Sequence, residues 1–237
     1  MARRPAMPAA RTGGGRSGRR GRSRRRWSIW VLGLGLLALL LRVVAVQAYL
    51  VPSRAMEDTL LAGDYLLVET LSRGATVPFT RFRLPALGRI RAGDVVIFAS
   101  PSDPQRYYAK RCVALPGQVV ELRDKAVYVD GVRWSEPSHG KHVDPRILKS
   151  DQSPRDNLAP RTVPAEALFV LGDNRDNSRD SRHWGFLPEE SVVGIATLIY
   201  WSCQPDLAPG SGWREILGRV RSLPSRIRWG RAGGWVR

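Results

Sequence analysis

The segment WSIWVLGLGLLALLLRVVAVQAYLV, residues 27 to 51, carries a single charge, Arg42. As a helix, 25 residues rise about 37 Å at ~1.5 Å each, enough to cross a bilayer. Arg42 can snorkel to the far interface, and Trp27, Trp30 and Tyr49 fit interfacial aromatic belts. Residues 1 to 26 hold ten arginines and no acid, and the run RTGGGRSGRRGRSRRR is Gly/Ser/Arg low complexity that cannot bury apolar area, so it is expected to be disordered. Alone, an Arg/Gly tail suggests RNA. Ahead of a span it reads as a topology signal that also touches anionic lipid, and no nucleic-acid partner is expected. The expected layout is a cytoplasmic tail 1–26, a transmembrane anchor 27–50, a domain 51–201 on the outer face of the cell membrane, and a basic segment 202–237. A cleaved secretion signal is the alternative, because VQA ending at Ala48 resembles a small-residue cleavage site and SRRRWSI loosely resembles a twin-arginine signal.

Beyond residue 59 the apolar pattern has period two. DYLLVET, GDVVIFAS, QVVELRD, KAVYVDGVRW, ALFVLGD and VVGIATLIYWS are short runs bounded by Gly, Pro and Asp. Asp130-Gly131, between alternating apolar residues, suits a two-residue hairpin turn. No stretch from 52 to 201 reads as a long amphipathic helix, so the expected fold is mainly β, an antiparallel sheet domain. Residues 135–163 are polar and Pro-rich, an expected excursion or insertion. His139, His142 and Asp144 within it match no zinc spacing and read as solvated loop, so no metal is expected there. Two cysteines, Cys112 and Cys203, make no disulfide framework. In the basic C-terminal stretch, Ile216, Leu217, Val220 and Leu223 have helical spacing, which suits either a short surface helix near the membrane or a solvated tail.

Of 38 basic residues only four are lysine: Lys110, Lys125, Lys141 and Lys149. Arginine cannot lose its proton near neutral pH. Lys110 lies in RYYAKRCVALPG, an apolar and aromatic setting, whereas the other three lie in polar turns or loops. Burial disfavours an ammonium, so Lys110 is the candidate general base, expected buried and neutral near pH 7, with a surface lysine on a strand as the bland alternative. A second cluster, LGDNRDNSRDSRHWGFLPEE (171–190), interleaves Asp, Arg, Asn and Ser between an apolar strand and WGF. Such a run is either a solvated loop or a closed network of charge-assisted hydrogen bonds that holds a site rigid.

These segments, in this order behind an apolar span, resemble bacterial type I signal peptidase. PSRAMEDTLLAGD is similar to that family's nucleophile segment P-S-x-S-M-x-x-T-L-x-x-G-D. KRCVALPG is similar to its base segment, GDNRDNSRDSRHWGF to its G-D-N-R-D-N-S-x-D-S-R-x-W-G-F, and GDVVIF to a fourth segment. The resemblance covers roughly residues 27–201. It implies a serine endopeptidase with a Ser/Lys dyad and no metal or cofactor, which removes signal peptides from exported proteins after a small residue. By position it implies that Lys110 is the general base, that the Ser53 hydroxyl helps form the oxyanion hole, and that Ser178 orients the lysine. It implies an Asp180–Arg182 supporting ion pair, with Met56 and Arg111 as supporting residues of the matched segments, and a structural His183.

One position departs. Pro52 to Asp64 align without a gap, and Ala55 stands where the family has its nucleophile. Alanine has no atom that attacks a carbonyl, and deleting the nucleophile of an unrelated serine protease costs on the order of 10^6 in turnover. Three explanations are open: natural loss of catalysis, a deliberate Ser-to-Ala change that traps substrate, or a nucleophile supplied by Ser53. Two residues along a strand move a side chain by about 7 Å, which counts against Ser53.

Overall fold

The computed structural model describes residues 30–35, 46–74, 85–99, 106–135, 140–204 and 225–236. The chain divides into two compact units, Met1–Arg42 and Val43–Arg237. In the first unit, residues 30–35 are helical. The tail 1–26 and most of the expected anchor, Arg42 included, lie outside the described residues. Among the described residues no helix is long and apolar enough to cross a membrane.

The second unit is β, as the period-two pattern predicts. Its strands are β1 (Val46–Leu50), β2 (Asp64–Glu69), β3 (Val95–Ala99), β4 (Tyr107–Ala114), β5 (Val119–Arg123), β6 (Ala126–Val129), β7 (Val132–Arg133), β8 (Leu158–Thr162), β9 (Ala167–Leu171), β10 (Leu187–Pro188), β11 (Val192–Ser202) and β12 (Gly234–Trp235). One sheet runs β1-β2-β11-β3-β4-β9-β10, with β12 also on β11, and the other runs β7-β6-β5-β8. Every strand pairing is antiparallel.

Alternation sets what each face covers. On β3, Val95 and Ile97 join Met56, Leu60, Leu66 and Val68 in one cluster, while Val96 and Phe98 join Cys112, Leu168 and Val170 in another. A third cluster, with Val120, Leu122, Val127 and Val129 of the small sheet, packs against Val113, Phe169 and Leu171 of the large one. The β6–β7 hairpin turns at Asp130 and Gly131, whose φ angles of 51° and 76° give the two left-handed residues that a tight hairpin requires.

Two expectations need correction. The anchor was expected to run to residue 50, yet Val46–Leu50 is a strand that pairs with β2 from Val46↔Glu69 to Leu50↔Tyr65. The same apolar run fits a helix or a strand, and here the free edge of β2 supplies backbone partners for it. The expected excursion 135–163 ends in β8, paired with β5, and its Arg155 bonds Asp144 and Asp156. The basic C-terminal segment returns to the sheet through Ser225–Val236 and β12. The residues expected to give it helical spacing, Ile216, Leu217, Val220 and Leu223, lie outside the described residues, as does His139.

Candidate active site

The segment between β1 and β2 is a compact loop. Val51 N donates to Asp64 O (2.9 Å) and Gly63 N to Val51 O (3.0 Å), which closes its neck, and Leu60 N donates to Met56 O (2.7 Å). Met56 and Leu60 are buried and fix it to the core, which leaves Ala55 held at a buried position beside them. The Ala55 carbonyl accepts from Asn174 N (3.0 Å), and Asn174 Nδ2 donates to Arg54 O (3.3 Å) and Glu57 Oε2 (3.1 Å). The loop is therefore tied to the polar segment that follows β9.

That segment is buried, not solvated: Asp173, Asn174, Arg175, Ser178, Asp180, Ser181 and Arg182 are all inside. Successive residues of β4 leave the strand on opposite faces, and the segment meets both. Lys110 Nζ donates to Ser178 Oγ at 2.6 Å. Arg111 grips Asp173 with both arms of its guanidinium, Nε to Oδ1 at 2.8 Å and Nη2 to Oδ2 at 2.6 Å, and donates to Gly93 O. Thr59 Oγ1 also donates to Asp173 Oδ2, so Asp173 joins the loop to β4. Asp180 and Arg182 form a second buried pair, Nε to Oδ1 at 2.8 Å and Nη2 to Oδ2 at 2.7 Å. Asp180 also accepts from Gly172 N and caps the helical turn Ser181–Trp184.

Gly172 is the pivot. A Cβ there would meet Ser178 and the Ala55 carbonyl at once, so only glycine lets the Ala55 loop and Ser178 close over the same spot.

Lys110 is 3% exposed. Burial, the largest cause, pulls its pKa down from 10.5 to about 8; Arg182 pushes in the same direction, and Asp180 and Asp173 oppose. The shift runs in the direction that a general base needs, and the two carboxylates restrain it.

The structure gathers Ala55, Met56, Lys110, Arg111, Ser178, Asp180 and Arg182 into one network. Ser53 is half-buried and lines an adjacent groove of about 660 Å3 between the end of β1 and the start of β4, with Tyr49, Pro52, Tyr107 and Tyr108 among its walls. His183 is exposed. His142 Nδ1 lies 3.7 Å from Asp176, and Asp144 is held by Arg146 and Arg155. Cys112 and Cys203 are free. Sequence reasoning placed Thr59 among the residues that position the loop, and Asp173 and Asn174 in the polar run, without giving their partners, and gave no role to Gly172. Their neighbours in the two matched segments were the available signal. It also missed that Lys141 N donates to Asp173 O and Asp176 accepts from Val143 N and Asp144 N, so that the excursion braces the site.

A family model described as "Signal peptidase, peptidase S26" matches residues 24–201. A signal peptidase I from Pseudomonas fluorescens is 33% identical over 196 residues, which cover 70% of this chain and 68% of that protein. One from Pseudomonas aeruginosa is 32% identical over 199 residues, 72% of this chain and 69% of that protein. A probable signal peptidase I-1 from Synechocystis sp. is 34% identical over 198 residues, 81% of this chain and 85% of that protein.

Proposed function

The chain belongs to the signal peptidase family, peptidase S26, and we propose that it docks the signal peptides of exported proteins at the Ala55–Lys110 site while turning them over negligibly. One observation carries the reading: Ser178, which accepts from the buried Lys110, and the carbonyl of Ala55, which lacks a hydroxyl, both close on Gly172.

With serine at position 55, the chemistry is complete. The hydroxyl oxygen attacks the scissile carbonyl as its proton passes to Lys110 Nζ, and the lysine returns that proton to the leaving amine; a water that gives its proton to the same nitrogen then hydrolyses the acyl ester, and the lysine hands that proton back to the hydroxyl at position 55. The Ser53 hydroxyl, on the rim of the groove, is suited to donate to the oxyanion. Asp173–Arg111 and Asp180–Arg182 hold the loop and the lysine segment, so neither reorganises during the reaction. With Ala55, the groove and the strand edges that bind peptide persist and the attacking atom is missing.

Purified chain and its Ala55→Ser variant, incubated with a preprotein, test this. The variant is expected to cleave after a small residue at least about 10^3 times faster, since nucleophile loss costs on the order of 10^6 elsewhere. Cleavage by the unmodified chain that Ser53→Ala abolishes would instead make Ser53 the nucleophile. We also assign the membrane anchor to residues 27–45, which as a helix rise about 28 Å, close to the thickness of the hydrocarbon core. The arginine-rich tail then puts the N-terminus in the cytoplasm. Protease added to spheroplasts is expected to digest the chain beyond residue 50, and full protection would refute that orientation.

A further inference from the structure

The family match ends at residue 201, yet residues 225–236 reach the same loop that holds Ala55. Trp229 packs edge-on against Trp201 at 5.6 Å, Cys203 bridges Ile227, and β12 pairs with β11 at Leu198↔Trp235 and Ile199↔Gly234. This anchoring delivers two arginines to the 51–64 loop. Arg228 Nη2 donates to Ala62 O at 2.6 Å. Arg231 Nη2 donates to Asp64 Oδ2 at 2.6 Å and to Thr59 O at 2.9 Å, and its Nε to Asp64 Oδ1 at 3.3 Å.

Asp64 is wholly buried. It accepts from Leu61 N (2.8 Å) and Ser202 Oγ (2.6 Å), so it shapes the end of the loop and locks it to β11. A buried carboxylate needs a counter-charge, and Arg231, 167 positions away, supplies the closest one. Arg231 Nη2 serves the carboxylate and the Thr59 carbonyl together while Nε adds a second bond to the carboxylate, a fork that the single nitrogen of a lysine does not reproduce. From Thr59 the connection runs through its hydroxyl to Asp173 and on to Arg111, the neighbour of Lys110.

We propose that Arg231 is a positioning residue for the loop carrying position 55. It holds that loop in register with Lys110 from a segment outside the family match, and the idea rests on the reading of this loop as the nucleophile loop.

Amide hydrogen exchange on the full chain tests the brace without needing activity. Arg231→Ala is expected to speed exchange at Thr59, Leu60 and Leu61 at least tenfold while β4 and β9 stay unchanged. Arg231→Lys, which keeps the charge beside Asp64 but not the fork, is expected to give a smaller rise confined to the same amides. It also decides the matter if the alanine variant loses protection throughout the sheet. Unchanged loop exchange in the lysine variant, with a folded sheet, overturns the proposal. Kinetics in the Ala55→Ser background supply the second arm: adding Arg231→Ala is expected to lower kcat at least tenfold with KM within twofold, and Arg231→Lys to recover part of it. An unchanged kcat overturns the proposal. Absence of cleavage by Ala55→Ser itself would sink the nucleophile reading, and the exchange comparison would still decide the brace.

Discussion

Replacing Lys110 by methionine removes an ammonium from a buried site and keeps a similar volume. The gap between about 8 in the fold and the ordinary 10.5 corresponds to about 3 kcal/mol, at roughly 1.4 kcal/mol per tenfold change in ionisation. Between those two values the unfolded chain binds more protons than the folded one, so stability rises with pH across that window. Below pH 8 the folded protein carries the whole cost of the buried charge, and above 10.5 it carries none. The methionine variant lacks this dependence. It also lacks the hydrogen bond to Ser178, a loss of about 1 kcal/mol that is nearly independent of pH. The variant is therefore expected to be the more stable protein at pH 6.5, by about 2 kcal/mol, and to lose about 2 kcal/mol of that advantage by pH 9.5. Urea unfolding of both proteins at several pH values measures the gap, and other titrating groups cancel in the comparison. Two curves that run parallel from pH 6.5 to 9.5, within about 0.5 kcal/mol, would refute the burial argument.

The same lysine sets a pH profile. In the Ala55→Ser variant kcat/KM is expected to rise about tenfold per pH unit below the lysine pKa and to level off above about 8; a flat profile from pH 6 to 8 would show that Lys110 is not the base. Gly172→Ala is expected to be worse than an ordinary small-to-large change. Its Cβ would lie 2.5 Å from the Ala55 carbonyl and 2.6 Å from Ser178 Cβ, so at least about 3 kcal/mol of stability is lost together with at least tenfold in signal-peptide affinity, read by urea unfolding and fluorescence anisotropy. Wild-type peptide affinity in that variant would mean the Ala55 loop does not shape the binding site.

What the sequence disclosed was what short range determines. Alternation marks β2, β6 and β11, whose burial changes from one residue to the next, whereas β3 and β9 are buried on both faces and show as short apolar runs between turn residues; Asp130-Gly131 marks its hairpin because the turn demands left-handed residues. Lys110 stood out through the rarity of lysine and its apolar neighbours. The remainder depends on partners far along the chain. Val46–Leu50 has nothing in its composition that separates a strand from the end of a span, and only the edge of β2 decides. Asp173 lay in a run that suited a solvated loop or a closed network equally, and its partners Arg111 and Thr59 sit 62 and 114 positions away. Arg228 and Arg231 looked like a solvated basic tail because Asp64, which draws them in, is so distant in sequence.

The long reach of these pairs also bears on the order in which the molecule comes into being. Lys110–Ser178, Thr59–Asp173 and Asp64–Ser202 join residues 68, 114 and 138 positions apart. Loops of that size close slowly, after local hairpins have formed, and a chain emerging from its N-terminus leaves the early partner waiting for the late one. A nascent chain that has reached only β6 already contains position 55 and the lysine, but not the segment that aims one at the other. The site therefore assembles late, from a sheet already half built. Until β9 and the residues after it arrive, Lys110 lacks both Ser178, to which it donates, and the buried Asp180–Arg182 pair beside it.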